Sequence, residues 1–286
     1  MSKVRPGETM ASIQKKLKAG GVIEFAKGEY QITQTLYIYS KSDIRCEEGA
    51  VFYKKCVPAM FMTYVTSATT KYGGVHDVTF TGGRLVGANK SSTQSNHMTL
   101  CHAKNITIKN VVFQGGNNPH HLEINSSKNV KVIGCTFKEH APIKDYKECV
   151  QIDYANYAGL TYASANDPTY DGTHCQDIVI EECRFFDNPH CIGTHTCTTE
   201  LKSHKNITIS ECKAEHVSVF AKFVNMENVV ACNNRISAAD IVFYFPLKKK
   251  GVKPHGGEES IVPKACKNVR IADNEMEYCI QEVSVQ

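Results

Sequence analysis

The stretch Lys104–Phe113, KNITIKNVVF, decides the fold. Its apolar residues alternate with polar ones, the period of a strand with one face buried. It also recurs: KNVKVIGCTF from Lys128, QDIVIEECRF from Gln176, KNITISECKA from Lys205, ENVVACNNRI from Glu227 and KNVRIADNEM from Lys267. HDVTFTGGRL from His76 and SDIRCEEGAV from Ser42 are weaker copies. With the Asn or Asp of each copy as marker, Asp77, Asn105 and Asn129 are 28 and 24 residues apart, and Asp177, Asn206 and Asn228 follow at steps of 29 and 22. The longer steps, Asn129 to Asp177 and Asn228 to Asn268, leave room for inserted loops or an extra coil. A period in the twenties built from short alternating strands predicts a parallel β-helix, whose coils bury their inner faces only by stacking. Leucine-rich repeats share the period, but their leucine frame is absent.

The aligned column Val111, Cys135, Cys183, Cys212, Asn234 and Asn274 supports this reading. In stacked coils it becomes an interior ladder of small thiols passing into asparagines, whose amides can hydrogen-bond along the axis. That accounts for much of an unusual cysteine content, thirteen in 286 residues, an odd number without zinc-site spacing. The thiols are expected to be reduced. TMASIQKKLKAGG, Thr9 to Gly21, places Met10, Ile13 and Leu17 on one helical stripe before a glycine stop, so residues 8–21 are expected to form a helix covering the first coil. One domain, 1–286, follows, with inserted loops at 154–175 and 246–264.

A net charge of +4 is too weak to argue for nucleic acid, and no run is long and apolar enough to span a bilayer. Residues 1–20 show no apolar signal-peptide core, although a trimmed secreted chain would look the same.

The helix followed by IEFAKGEYQITQTLYI and then by coils of the KNITIKNVVF type resembles the pectate-lyase-like (pectin-lyase-like) superfamily of right-handed parallel β-helices. That superfamily includes pectate lyases, polygalacturonase-type hydrolases, uronan epimerases and phage tailspikes. HHLEINSSKNV, KECVQID, DGTHCQDIVI and CIGTHT are further similar to segments of uncharacterised β-helix repeat proteins of Gram-positive bacteria. The resemblance implies an all-β, right-handed solenoid with an N-terminal capping helix, a polysaccharide or oligosaccharide partner, and an extracellular or cell-surface location. It also implies a site on the strands that precede the KN segments, shared among Glu123, Gln151, Asp153, Asp171 and His195.

Those preceding strands are HMTLC (97–101), HLEIN (121–125), CVQID (149–153) and CIGTH (191–195). Alternation sends Leu122, Ile124, Val150 and Ile152 inward. His121, Glu123 and Asn125 then face outward beside Gln151 and Asp153, with Asn125, Asp153 and His195 in one row. His97 and Thr99 extend the same face. The segment from Tyr154 to Cys175 carries Tyr154, Tyr157, Tyr162 and Tyr170, suited to stacking on sugar rings, and returns Asp171 toward the row. PLKKKGVKPHGGEES from Pro246 is basic and reads as a solvated charge run or a contact for an anionic polymer.

Three chemistries fit this row. Glycoside hydrolysis needs a carboxylic acid and a carboxylate, for which Glu123, Asp153 and Asp171 are candidates, with His195 orienting. No cofactor is required for it. The polygalacturonase motifs are missing from the matching strands, which argues against pectin as the substrate. β-Elimination or C5-epimerisation of a uronic-acid polymer needs a base, His121, His195 or a tyrosine, and a cation beside the sugar carboxylate. No arginine lies on the row, so Ca²⁺ held by Glu123 and Asp153 would have to serve. NPHHLE, Asn118 to Glu123, faintly resembles the epimerase site. The third reading is a glycan-binding or adhesion module without turnover. A divalent-metal site of His121, Glu123, Asp153 and His195 is geometrically open as well, whereas nucleophilic triads and phosphate loops have no motif here.

Overall fold

The computed structural model describes residues 1–87, 96–117, 120–141, 147–155, 171–194, 202–246, 249–252, 258–261 and 266–285, and of residues 249–252 and 258–261 it gives only the backbone. They form an all-β solenoid of parallel strands, with one helix among them, Met10–Ala19. The KN segments build one face. Its parallel sheet runs from Ser2–Val4 through Lys104–Lys109, Lys128–Ile133, Gln176–Glu181, His204–Ser210 and Met226–Cys232 to Lys267–Ala272. A second sheet folds through a corner and supplies two more faces. The short strands Arg84–Val86, Val112–Gln114 and Thr136–Lys138 lie on one, and Ala59–Thr63, Asn96–Cys101, Leu122–Asn125 and Glu148–Asp153 on the other. Arg184–Gly193, Lys213–Lys222 and Arg235–Phe245 run through the corner and join them.

The long steps in the repeat are now resolved. Lys128 pairs directly with Gln176 and Glu227 with Lys267, so the extra residues are insertions rather than another coil. The weak first copy pairs two residues out of its sequence alignment, Asp43 opposite Thr79. A shift of two preserves which side chains face the core, whereas a shift of one would invert every one of them.

Why Asn or Asp marks each copy is a backbone matter. Asp77, Asn105, Asn129, Asp177, Asn206, Asn228 and Asn268 all have φ between 51° and 58°, a left-handed region that these two residues tolerate better than other non-glycines. Their side chains then bond down the outside of the turn. Asn129 donates to Asn105 at 2.9 Å and Asn105 to Asp77 at 2.7 Å. Farther along, Asn206 donates to Asp177 and Asn268 to Asn228.

The interior stacks in register. Phe113, Phe137 and Phe185 lie parallel at centroid separations of 4.8 and 5.0 Å, each fully buried. Burial of each such ring stabilises by about 1.5–3 kcal/mol. The thiol-to-amide ladder lies inside, as its column implied. The Cys135 and Cys183 thiols donate to the Ile108 and Val132 carbonyls. Asn234 donates to Asn274 at 2.9 Å and accepts from the Cys212 amide at 3.0 Å. The twelve described cysteines are all unbridged.

The helix begins at Thr9, whose hydroxyl accepts from the Ser12 amide, and it buries Ile13 and Leu17. Gln14 ties it to both backbone groups of Tyr37. The basic segment after Pro246 contains an antiparallel pair, Lys249–Val252 with Glu258–Ile261, in place of a structureless loop.

Candidate functional site

The Asn96–Cys101, Leu122–Asn125 and Glu148–Asp153 strands are in the register that alternation requires. Glu123 pairs with Thr99 and Gln151, Asn125 with Cys101 and Asp153, and Gln151 with Gly193. Leu122, Ile124, Val150 and Ile152 are fully buried in the core, which leaves Glu123, Asn125, Gln151 and Asp153 on the outer side of the sheet. His195, the third member of the Asn125–Asp153 row, lies outside the described residues, as do Tyr157, Tyr162 and Tyr170.

His97 and His121 do not join this face. The His121 ring lies beside the stacked Phe113 and Phe137, near-parallel to both at 6.3 and 6.2 Å, and 4.7 Å from His97 and 4.6 Å from His140, inside the coil. Its Nε2 is 3.0 Å from the Gly115 carbonyl, and His97 Nε2 is 3.2 Å from that of Gln114. The reason is the corner. Two consecutive residues, His121 and Leu122, turn inward there, and alternation resumes only at Glu123.

Burial, with the neighbouring imidazoles adding to it, holds His97 and His121 well below the usual histidine pKa of 6.5. Burial likewise brings His204 down to about 4. These groups stay neutral in the folded chain while the unfolded chain protonates near pH 6.5, so stability is full above that pH and declines as the pH falls through it. Each histidine adds a slope of up to about 1.4 kcal/mol per pH unit, which for His204 extends down to about pH 4. The urea midpoint is therefore expected to drop between pH 7 and pH 5. His121→Phe, apolar and placed beside two phenylalanines, should flatten that slope; an unchanged slope would exclude the interior assignment.

The place His121 was expected to fill belongs to its neighbour His120 and to residues that alternation alone did not select. Asn96, Glu148 and Lys222 lie on the outer side of the corner with it. Glu123 Oε2 accepts from Asn96 Nδ2 at 2.7 Å and from the Thr99 hydroxyl at 3.0 Å. Asn96 Oδ1 accepts from the His120 amide at 3.2 Å. His120 Nδ1 lies 2.7 Å from the Glu148 carbonyl and 3.9 Å from its carboxylate. Glu148 in turn forms an ion pair with Lys222. Gly193 makes room for it, since a Cβ there would come within 2.7 Å of the Lys222 carbonyl oxygen, 3.0 Å of its Cβ and 3.4 Å of Glu148 Cγ. The signal that could have found these residues is the repeat itself. Asn96, His120 and Glu148 occupy one aligned position, each three residues before Thr99, Glu123 or Gln151.

Asp153 accepts from the Tyr154 amide at 2.8 Å and from Gln151 Nε2 at 3.1 Å. Asn125 is fully buried with both amide atoms unpartnered. Tyr154 presents no open ring face. It is fully buried, its hydroxyl donates to the Lys202 carbonyl at 2.8 Å, and its ring lies 4.3 Å from His204. Asp171 is exposed and holds a turn, accepting from the Lys71 amide at 2.6 Å and the Thr173 amide at 2.9 Å. Burial acts to raise its pKa, but the hydrogen bonds from Thr173 and Lys71 outweigh it and hold the carboxyl below its usual value.

The described members of the outer row, Thr99, Glu123, Asn125, Gln151 and Asp153, are at most 4% exposed, as are Asn96, His120, Glu148 and Lys222. Among the described residues no three His, Cys, Asp or Glu side chains converge as ligands for a cation, and no helix is long and apolar enough to cross a membrane.

No family model matches the chain. It is 26% identical over 270 residues to the plasmin and fibronectin-binding protein A of Streptococcus pneumoniae, covering 82% of this chain but only 36% of that protein. The crystal structure of PfbA, described as a surface adhesin of S. pneumoniae, superposes with a TM-score of 0.72 at 20% identity, over 96% of this chain and 75% of that one. A family 28 exopolygalacturonase from Yersinia enterocolitica superposes with a TM-score of 0.64 at 11% identity, over 100% of this chain and 66% of that one. The fold is thus a parallel β-helix, shared with this surface adhesin and this exopolygalacturonase.

Proposed function

We propose that the chain is a carbohydrate-active protein of the cell surface that hydrolyses a polysaccharide or oligosaccharide, with Glu123 and Asp153 as the reacting carboxylates. One observation carries this reading. Glu123, Glu148 and Asp153 sit on the outer side of two neighbouring coils with no exposure. Burying carboxylates is costly, and a scaffold that needed only to hold its coils together would place apolar groups there. Glu123 and Asp153 are diagonal neighbours on adjacent strands, a relation that spaces Cα atoms about 7–8 Å apart. Inverting glycosidases hold their two carboxyl groups about 6.5–9.5 Å apart to admit a water, a separation that side chains on such neighbouring positions can reach. Glu123 and Asp153 divide the roles of acid and of the base that activates this water. Asn125, between them in register, is placed to meet a sugar hydroxyl. The right-handed sense of the coil and a capping role for the Met10–Ala19 helix belong to the same reading.

The test is a panel of polysaccharides assayed for new reducing ends and for absorbance of unsaturated uronates. Reducing ends without that absorbance are expected. Absorbance would move the assignment to elimination. Silence on every polymer would favour the second reading, a non-catalytic adhesion module, which has its own support: the S. pneumoniae matches are named as a binding protein and an adhesin, and the described part of the row is closed to solvent.

A further inference from the structure

Beside the Asn125–Asp153 edge of the row lies a cavity of about 440 Å³, lined by Lys71, Tyr72, Asp171, Thr173, His174 and Lys202. It joins the row through Ser126, the residue after Asn125. The Ser126 hydroxyl donates to the Thr173 carbonyl at 2.6 Å and accepts from the Ala155 amide at 2.8 Å.

Its walls are fixed. The Tyr72 hydroxyl donates to the His174 carbonyl at 2.9 Å, and the two rings meet edge to face at 6.4 Å. The Lys71 backbone is left-handed, with φ of 50°, and is held from both sides: its amide donates to Asp171, and its carbonyl lies against the His102 imidazole. The Lys202 carbonyl is held by Tyr154.

Its charge is unbalanced. Lys71 and Lys202 are exposed, and neither ammonium has an ion-pair partner among the described residues. The one acid among the described residues of the wall, Asp171, already has both oxygens occupied by backbone amides. Two further lysines stand nearby, each already paired with an acid: Lys128, 5.9 Å from the centre of the Tyr72 ring and 3.9 Å from Asp177, and Lys205, 3.5 Å from Glu227. Burial first, and then Lys205, Lys202 and Lys128, hold His174 below the usual histidine pKa, which is consistent with a positive potential in the cavity.

We infer that this cavity is a subsite for one acidic sugar unit, its carboxylate or sulfate held between Lys71 and Lys202 and its ring lying against Tyr72. An aromatic face beside unpaired cations matches a ring that carries an anion. The inference rests on the carbohydrate reading, but not on hydrolysis or on Glu123.

The experiment is calorimetric titration of the Glu123→Gln protein, so that turnover plays no part. The probes are a galacturonate hexamer, a heparin-derived hexasaccharide and cellohexaose. At least one of the two anionic probes is expected to bind at least tenfold more tightly than cellohexaose, with affinity falling as salt rises. Which anionic probe binds separates carboxylate from sulfate. Lys202→Gln with Lys71→Asn should weaken that binding at least tenfold. Asparagine is chosen at 71 because it accepts the left-handed backbone, and Lys202→Gln alone, still several-fold weaker, serves if the double variant does not fold. Equal binding of neutral and anionic probes, no binding of either anionic probe, or charge variants that bind like the parent would overturn the subsite. Binding retained by Glu123→Gln, with the unsubstituted protein releasing no reducing ends from any polymer of the panel, would leave the subsite standing while removing the hydrolase reading.

Discussion

Glu123→Gln is expected to lower the release of reducing ends by about 10²–10⁴-fold, the usual contribution of a positioned acid or base, with the urea midpoint nearly unchanged. Glutamine has the same shape as glutamate. Its carbonyl oxygen can still accept the hydrogen bonds that Asn96 and Thr99 make to Oε2. The negative charge and the ability to take up a proton are lost, and Oε1 becomes an NH₂. Asp153→Asn should be as damaging to turnover but less innocent for the fold. Both Asp153 oxygens accept, one from the Tyr154 amide and one from Gln151, so the new NH₂ must face a donor. An unmade buried hydrogen bond costs about 1–3 kcal/mol. Full activity in both variants would remove the pair from the mechanism. Loss of activity in Asp153→Asn alone, matched by loss of fold, would make Asp153 structural.

The second large effect is on stability. Lys222→Met is expected to cost about 3–5 kcal/mol, as removal of one partner of a buried ion pair does. Lys222 is 4% exposed and Glu148 fully buried, so solvent cannot replace the lost ammonium. Adding Glu148→Gln should restore most of the loss, because the double variant no longer buries an uncompensated charge. The comparison is made by urea midpoints of the two single variants and the double one. A neutral Lys222→Met would show that the pair contributes nothing to the fold. A double variant that is stable but inactive would attach Glu148 and Lys222 to the chemistry.

Much of this was written in the repeat. Alternation within HLEIN and CVQID, with the step between their coils, suffices to place Glu123 beside Gln151 and Asn125 beside Asp153, as the register shows. The thiol and asparagine column was legible for the same reason, since stacked coils put equal repeat positions on one line. His97 and His121 were misread because period-two alternation assumes a straight strand, and the sheet turns a corner at those residues. Asn96, His120 and Glu148 share a repeat position but look unremarkable singly. Lys222 belongs to a coil about a hundred residues from Glu123, in a strand that reads as ordinary core.

The amino-acid sequence by itself determined the solenoid, the register of its regular coils and which short-range neighbours share a face, because each of these follows from local periodicity and stacking. Only the tertiary structure decided which histidine enters the coil, that Lys222 reaches Glu148 across Gly193, and that Lys71 and Lys202 meet around Tyr72. Those contacts depend on the bend of the sheet and on segments as far apart as Lys71 and Asp171, separations at which local periodicity carries no information.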